Sequence, residues 1–349
     1  MPEPAPVLPA VRRPSQALME TYDAFLLLSF GGPEHHDEVM PFLRRVSAGR
    51  GIPDERLLAV AEHYYAAGGA SPLNAQCREL LSALGQGTPA LSLPLYWGNR
   101  NWHPLLEDTL AQMRDDGARR ALAFVTSAYG GYSSCRQYLD DIAAARSKVG
   151  AGAPEVDKLR LFYNHPAWVG AWAKSASRAL ASLGAVDATV LFSAHSIPLA
   201  AARTSPYEHH VNETARLVAE AAGVRRWQLV WQSRSGRPGQ PWLGPDICES
   251  IEAERPPAVV VVPIGFVLEN MEVVHDLDVD ATGAAGKVGA RFVRADCVSG
   301  YPEFVAMVKD LVHERLDPTA PRPALGEDGP WPDSCPAGHC PPPTRQGLG

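Results

Sequence analysis

The chain has 349 residues, of which 46% are hydrophobic and 20% charged, and its formal net charge is -7. This size and composition fit one large or two medium-sized α/β domains with a buried core. A nucleic-acid-binding protein would carry a clustered basic surface, so the acidic balance predicts no nucleic-acid partner. No apolar run approaches the roughly 18 residues of a membrane span, and we therefore expect no stable membrane insertion.

The two ends of the chain differ in composition from its middle. Residues 1–21 are rich in Pro and Ala and lack the apolar core of a signal peptide, which predicts a disordered N-terminal arm. Residues 318–349 are rich in Pro and Gly, which predicts a tail without regular structure. The six cysteines show no close pairing of the secreted disulfide type, and the expected location is the cytoplasm.

Short apolar runs alternate with helical patterns between these ends. The predicted strands are, in chain order, AFLLLSF, LSLPLYW, ALAFVTSAY, LRLFY, ATVLFSAH, WQLVWQS, AVVVVPIGF and ARFVRADCV. The predicted helices are HDEVMPFLRRV, PDERLLAVAEHYYAA, NAQCRELLSALG, HPLLEDTLAQMRDD, RQYLDDIAAARSK, GAWAKSASRALASLG, EHHVNETARLVAEAAG and PEFVAMVKDLVHERL. Such alternation predicts parallel sheets covered on both faces. Two runs of four strands predict an α/β fold with two Rossmann-like domains, residues 22–184 and 185–317.

Polar side chains stand where several predicted strands end, which is where open α/β sheets bind ligands. His195 ends ATVLFSAH, and Glu272 follows AVVVVPIGF in the helical stretch LENMEVVHDLDVD. On that helix Glu272, Asp276 and Asp280 stand at i, i+4 and i+8 on one face. Like charges at this spacing repel by roughly 0.2–0.5 kcal/mol per pair, a cost that a divalent cation would relieve.

Structural alternatives exist for each of these features. A histidine at a strand end can be a hydrogen-bonded structural residue, and a carboxylate ladder can be a solvated helix face. No G-x-G-x-x-G fingerprint or Walker loop follows the first strand, so a nucleotide site is not expected. The combination of imidazole and carboxylates at neighbouring strand ends favours a weak metal site that also accepts protons.

Five ordered motifs carry a resemblance that spans residues 22 to 317. They are FLLLSFGGPE, GGASPLN, FSAHSIP, WQSRSG with PWLGPDI, and PIGFVLENMEVVHDLD. With these motifs the chain resembles the ferrochelatases, which insert ferrous iron into a porphyrin, and it is most similar to their actinobacterial form. The resemblance implies a porphyrin cleft between the two domains, with ferrous iron as a substrate.

The resemblance also implies roles for particular residues. His195 stands where the family has its metal-binding, proton-accepting histidine, and Glu272 where it has the partner glutamate. Asp276 and Asp280 stand on the acidic face behind that glutamate, on a helix that often contains a π-turn. The chain departs from the family's motifs at two places. Where the family has Asp-His before the glutamate, this chain has Glu269-Asn270, and where the family has Gly-Asp before Pro-Tyr, it has Thr204-Ser205.

Four further residues match the family's tetrapyrrole pocket. Ser71 and Tyr138 match polar lining residues, and Arg50 matches an arginine near the propionates. Phe30 stands where some bacterial relatives have an axial tyrosine, so a phenolate ligand from that position is excluded. Structural alternatives are a helix N-terminus at Ser71, an amphipathic helix position at Tyr138 and a solvated loop charge at Arg50.

Some ferrochelatases hold a [2Fe–2S] cluster on C-terminal cysteines and one upstream cysteine. Cys335 and Cys340 match such a tail pair, and Cys135 lies near the upstream position. Iron–sulfur ligation usually takes four thiolates, and Asp333 and His339 are the nearby candidates for a fourth ligand. The alternative is a tail with two free thiols. The other three cysteines, Cys77, Cys248 and Cys297, are expected to pack as small hydrophobic residues.

The expected substrate is coproporphyrin III, with protoporphyrin IX as the alternative. Membrane-associated ferrochelatases have an apolar lip between the first strand and the GG-x-SP motif, whereas residues 31–69 are dominated here by charged and small side chains. Arg44, Arg45 and Arg50 lie there, and arginine can bind carboxylates bidentately; the alternative is that they only solubilise a helix. Less favoured alternatives are a cobaltochelatase and a non-catalytic tetrapyrrole or haem carrier. Transient contact with neighbouring haem-pathway enzymes is also expected.

Overall fold

The structure is a computed structural model that describes residues 22–49, 51–86, 90–184, 187–235, 239–336 and 338–342. The predicted N-terminal arm, Arg50 and residues 343–349 lie outside this described part.

The first half of the chain forms a parallel sheet of four strands. These are β1 (Ala24–Ser29), β2 (Leu95–Asn99), β3 (Arg120–Val125) and β4 (Glu155–Lys158). Their spatial order is β2-β1-β3-β4, with Leu27 opposite Trp97 on one side and opposite Phe124 on the other. All six residues of β1 are buried, as a central parallel strand requires when helices cover both faces of the sheet.

The second half repeats this arrangement. Its strands are β5 (Ala188–His195), β6 (Trp227–Gln232), β7 (Ala258–Val262) and β8 (Arg291–Arg294). They lie in the order β6-β5-β7-β8, so the central pair of each sheet is its first and third strand. The two parallel four-stranded sheets confirm the predicted fold class.

Helices connect the strands and cover the sheets. In the first half they are α1 (Val39–Val46), α2 (Asp54–Ala66), α3 (Leu73–Gln86), α4 (Leu106–Asp115), α5 (Gln137–Val149) and α6 (Pro166–Leu183). In the second half they are α7 (Leu199–Ala202), α8 (Tyr207–Ala221), α9 (Ile247–Glu254), α10 (Met271–Val273), α11 (Thr282–Val288) and α12 (Pro302–Leu316). A 3₁₀ turn (His36–Glu38) precedes α1, and a π-turn (Tyr132–Arg136) precedes α5. Helix α6 packs against β7 and β8, so it covers the second sheet.

The fourth strand differs from its prediction. The apolar run LRLFY (159–163) was the predicted strand, but β4 is the polar segment just before it. As an edge strand, β4 pairs only with β3 and needs no apolar face. Leu159, Leu161 and Phe162 are instead buried in the main hydrophobic core, on the connection to α6. The apolar pattern therefore indicated burial rather than sheet pairing.

The helix that carries the carboxylates is irregular. Between α10 and α11 the chain forms a π-helix over Val274–Ala281. Local π-helical turns are rare and occur frequently at functional sites. The stretch therefore contains the π-turn that the family resemblance implied.

The described part of the tail has no helix or strand after α12, yet it is docked against the body. Leu325 and Asn164 exchange hydrogen bonds, with Leu325 N donating to Asn164 O at 2.8 Å and Asn164 Nδ2 donating back to Leu325 O at 3.1 Å. Tyr163 Oη donates to Asp328 at 2.7 Å. A chain segment without secondary structure is thus fixed by specific bonds to its partner residues.

Candidate active site

His195 is the last residue of β5, at the carboxyl edge of the second sheet. Its Nδ1–H donates to the carbonyl of Ser196, which leaves Nε2 as the ring nitrogen available for a proton or a metal. Nε2 lies 3.4 Å from Oε1 of Glu272. Tyr207 Oη donates to the His195 carbonyl at 3.0 Å and so fixes the strand end itself.

Charge pairing dominates the electrostatics of these two residues. Burial disfavours the imidazolium, but the Glu272 carboxylate outweighs it and raises the pKa of His195 to about 9. Burial also disfavours the charged form of Glu272, and the His195 imidazolium reverses this and lowers the pKa of Glu272. At neutral pH the side chains of His195 and Glu272 therefore form an imidazolium–carboxylate pair. About a third of the His195 side chain and half of the Glu272 side chain remain exposed.

The chain places Glu272 through a helix cap. Asn270 is the N-cap of α10, and its side-chain oxygen accepts from Val273 N at 3.0 Å. Such a cap stabilises a helix start by about 1 kcal/mol. Glu269 N donates to Gln76 Oε1 at 2.9 Å, and Glu269 Oε1 pairs with Arg294 at 2.6 Å. The side chains that depart from the family's Asp-His therefore provide a helix cap and an ion pair with Arg294, while the backbone of Glu269 bonds to α3.

Asp276 accepts hydrogen bonds from two side chains at the end of β6. Gln232 Nε2 donates to Glu272 O at 3.1 Å and to Asp276 Oδ2 at 3.4 Å, and Ser233 Oγ donates to the same carboxylate. Burial and the charge of Glu272 raise the pKa of Asp276 despite the hydrogen bond from Ser233. Asp276 can therefore take up a proton more readily than a solvated aspartate.

The outer end of the ladder contains a histidine that sequence reasoning missed. His275 Nδ1 lies 3.4 Å from Asp280 Oδ2 and 3.7 Å from Asp276 Oδ1. One ligand atom from each of these residues lies within 4.8 Å of the others, so the three could hold a metal ion. The His275 ring stacks on His63 of α2 with a centroid distance of 3.5 Å. Helix α2, which lies in the segment between the first strand and the GG-x-SP motif, thus contacts the helix that carries the carboxylates.

Comparison with known proteins gives the family of the chain. The model of the family named Ferrochelatase matches residues 22–316. The chain belongs to the ferrochelatase family. Curated relatives include a protein named Ferrochelatase from Rhodopirellula baltica, 49% identical over 91% of this chain and 93% of that protein. Proteins named Coproporphyrin III ferrochelatase from Frankia alni and Mycolicibacterium smegmatis are 50% and 47% identical over 93% and 88% of this chain, and 87% and 94% of theirs.

Solved structures show the same fold. The sirohydrochlorin chelatase SirB from Bacillus subtilis subspecies spizizenii, in complex with cobalt, superposes with a TM-score of 0.52 at 9% identity, over 85% of this chain and 96% of that chain. The family membership identifies the protein as a lyase of haem biosynthesis that inserts ferrous iron into a porphyrin. Of the helices that the structure describes, none has both the length and the apolar character needed to cross a bilayer.

The other residues predicted for this ferrochelatase's pocket have different surroundings. Phe30 follows β1 and is 38% exposed, and its ring meets Phe42 edge to face. Phe42 in turn contacts Tyr64 and Trp102 in the same manner. These four rings form an aromatic group that includes residues of α1 and α2 and that sequence reasoning did not assemble.

Tyr138 is buried in the first half. The guanidinium of Arg100 lies 4.4 Å from the centroid of the Tyr138 ring and 5.9 Å from that of Phe30, and it pairs with Asp141. Arg100 is the cation that the structure places between two predicted pocket residues. Its only sequence signal was its place just after β2.

Ser71 and the lip arginines have protein partners. Ser71 Oγ accepts from Leu73 N at 3.4 Å at the start of α3, which is the geometry of its structural alternative. Arg44 pairs with Asp54 at 2.7 Å, and Arg45 lies 3.7 Å from Glu107. A role of these three residues in tetrapyrrole binding stays a prediction.

A cavity of about 360 Å³ lies away from this site, between α5, β4 and the tail. Its lining includes the three predicted cluster cysteines, Cys135, Cys335 and Cys340. Cys135 is on the π-turn before α5, far from the tail in sequence. The structure therefore brings together the three thiols that the sequence singled out, while Cys77 is buried in the main core.

Replacement of Glu272 by glutamine is expected to lower the pKa of His195 well below its present value of about 9. The reason is that the carboxylate raises this pKa, whereas the opposing effect of burial remains. The change would be measured by NMR titration of labelled histidine. The matched control is Asp278→Asn, since Asp278 pairs with Arg294 instead. An unshifted His195 in Glu272→Gln would contradict the pairing.

Proposed function

We propose that the protein inserts ferrous iron into coproporphyrin III, to give iron–coproporphyrin III, through His195 and Glu272. The observation that carries the catalytic part is the 3.4 Å approach of His195 Nε2 to Glu272 at the carboxyl edge of the second sheet. Insertion releases two pyrrole protons and requires iron to lose its water. An imidazole and a carboxylate side by side can do both tasks, because each binds a cation or a proton.

The order of proton movements follows from the resting charge state. His195 is protonated at neutral pH, since its pKa is about 9. A cation that arrives beside the pair lowers this pKa and displaces the proton. Once iron moves on into the macrocycle, the neutral Nε2 regains its basicity and can accept one of the two pyrrole protons, and the Glu272 carboxylate can accept the other. The pair therefore releases a proton when iron arrives, and it takes up protons when iron leaves.

The acidic ladder offers the route for the displaced protons and for incoming iron. Asp280 is about half exposed, Asp276 is more buried, and Glu272 meets His195. Because the pKa of Asp276 is raised, it can hold a proton transiently between its neighbours. Asp276 and Asp280 are therefore proposed as the relay between solvent and the reacting pair.

The proposal that coproporphyrin III is the substrate rests on the names of similar proteins and on the exposed side chains of α2. Several actinobacterial relatives with 46–50% identity carry the name Coproporphyrin III ferrochelatase. Helix α2 exposes two large apolar side chains, Leu58 and Val60. Residues two apart face different sides of a helix, so these two do not form a continuous apolar patch. On this basis and on its composition, we also propose that the enzyme works in the cytoplasm.

Steady-state kinetics under anaerobic conditions test the substrate. We expect kcat/KM for coproporphyrin III to exceed that for protoporphyrin IX by about tenfold or more, because one additional charged hydrogen bond contributes about 1.5–3 kcal/mol. Both porphyrins would be assayed at one detergent concentration. Arg50→Ala should narrow the preference, and Arg119→Ala, at a 91% exposed side chain, is the control. Equal or higher kcat/KM for protoporphyrin IX would overturn the coproporphyrin proposal.

A second part of the proposal concerns the cysteine cavity, which fits a [2Fe–2S] cluster. Besides the three thiols, four cationic side chains and two carboxylates line it, so it suits an anionic group: Arg120, Arg136, Lys158, Arg315, Asp157 and Asp333. Burial, followed by the charges of Cys135 and Cys335, raises the pKa of Cys340 to about 11. Metal binding would displace the thiol proton of Cys340. A cluster there would supply one-electron chemistry.

Protein purified without oxygen is expected to contain iron and acid-labile sulfide in equal amounts. Cys340→Ala should abolish both, because its buried thiol is one of the three proposed ligands. Cys248→Ala is the matched control, since Cys248 packs instead against the buried apolar residues on one face of the second sheet. Protein that stays free of sulfide after reconstitution would contradict the cluster.

A further inference from the structure

We propose that His339 is the fourth ligand of the cluster, so that three thiolates and one imidazole hold the two irons. The inference rests on the cluster proposed above and deepens it. Its basis is the inventory of side chains around the cavity. Besides the three cysteines, the lining side chains with an oxygen or imidazole nitrogen to offer a metal are Asp157, Asp333, Ser334 and His339.

The two carboxylates are occupied by cations. Asp157 Oδ2 accepts from Arg120 at 2.6 and 3.0 Å and from Tyr22 Oη at 2.8 Å. The two oxygens of Asp333 lie 3.2 Å from Arg315 and 3.1 Å from Arg322. Ligation by either carboxylate would compete with these ion pairs. A neutral serine hydroxyl is a poor ligand for iron beside thiolates.

His339 already stands next to a cysteine ligand. Its Nδ1 lies 3.1 Å from Cys340 Sγ. Two ligands of one tetrahedral metal, at about 2.3 Å for sulfur and 2.0 Å for nitrogen, lie about 3.5 Å apart. The existing separation is therefore close to that of a shared metal and needs only a small opening.

The backbone at this point is unusual. Cys340 has a φ of 52°, in the left-handed region that a residue with a Cβ rarely adopts. Strained residues of this kind are concentrated at functional sites. In this conformation the adjacent side chains of His339 and Cys340 converge, whereas neighbours on an extended chain would diverge. Trp331 packs beside the His339 ring with a centroid distance of 6.0 Å and limits its movement.

Imidazole ligation has a spectroscopic consequence. A neutral imidazole in place of a thiolate makes the cluster one charge less negative, and histidine ligation raises the reduction potential of [2Fe–2S] centres. The reduced, paramagnetic cluster should also show hyperfine coupling to a ligating nitrogen. Neither signature depends on iron-insertion activity.

The test uses anaerobically reconstituted full-length protein and pulsed EPR of the reduced cluster. Wild type should show strong nitrogen coupling that changes when histidine is labelled with ¹⁵N. His339→Cys should keep the cluster, lose the coupling and have a lower potential. His339→Ala should lose its visible absorbance at least ten times faster in air. His209→Ala, at a tail-contacting histidine that pairs with Asp328, is the control and should match wild type.

The possible outcomes distinguish failure of the histidine ligand from failure of the cluster and from failure of the proposed iron insertion. A cluster without nitrogen coupling, or with coupling that persists in His339→Ala, overturns the histidine ligand and leaves the cluster in place. Protein that binds no iron with sulfide, or binds zinc alone, overturns both. Iron insertion into coproporphyrin III, measured on the same samples, reports on the proposed function alone.

Discussion

Replacement of His195 by alanine is expected to lower the rate of iron insertion by about 100- to 10,000-fold, the range for loss of a positioned proton-transfer group. The imidazole Nε2 faces Glu272, and its loss leaves the proposed iron–proton exchange with only one of its two groups. The backbone around it should persist, because Tyr207 bonds to the carbonyl of His195 rather than to its ring. Porphyrin binding should therefore survive.

The measurement pairs an anaerobic insertion assay with a fluorescence titration of porphyrin binding. His209→Ala serves as the control because this histidine is exposed and pairs with Asp328, away from the reacting pair. A loss of less than tenfold, equivalent to about 1.4 kcal/mol, would contradict a role of His195 as base or iron ligand.

Much of the fold was predictable because its signal is local. The run AVVVV is β-branched and is fully buried as β7, and ATVLFSAH became β5 with His195 at its end. The fourth strand was not predictable in the same way. An edge strand needs little apolar surface, so the polar β4 gave no pattern, while the buried residues after it did.

The candidate site likewise contains residues that the sequence predicted and contacts that it could not predict. His195 and Glu272 follow strands whose carboxyl ends meet, so topology alone brings them together. The stack of His63 on His275 depends on contact between the lip and the second half, which no local pattern encodes. The placement of Arg100 between Phe30 and Tyr138 likewise depends on the packing of separate segments. The cysteine cavity joins α5 to the tail and required the family resemblance to be anticipated.

A second large effect is expected for a buried ion pair that sequence reasoning did not identify. Arg160 follows β4, and Glu314 lies in the last turn of α12. Two hydrogen bonds of 2.7 and 2.8 Å join them. Their side chains are 1% and 3% exposed. Arg160 also donates to the carbonyl of Pro323 at 3.0 Å, so the pair joins the first half, α12 and the tail.

Glu314→Ala is expected to lower the free energy of unfolding by about 3–5 kcal/mol, because it leaves the buried guanidinium of Arg160 without its counter-charge. Denaturant unfolding of both proteins would measure the difference. The control is Glu252→Ala, which removes an exposed pair with Lys287 and should cost less than about 1 kcal/mol. Similar losses in the two variants would show that burial of the pair contributes nothing.

The same substitution should act on the cysteine cavity before it acts on the reacting pair. Arg322 Nε lies 3.5 Å from Glu314 Oε2, and Arg322 also pairs with Asp333, next to the cavity thiols of the tail. Loss of Glu314 therefore loosens the segment that carries Cys335 and Cys340, while His195 and Glu272 keep their own partners. We expect Glu314→Ala to yield folded protein at low temperature with normal His195 titration and a depleted cluster. A cluster content equal to that of wild type would show that the tail is docked independently of the Arg160–Glu314 pair.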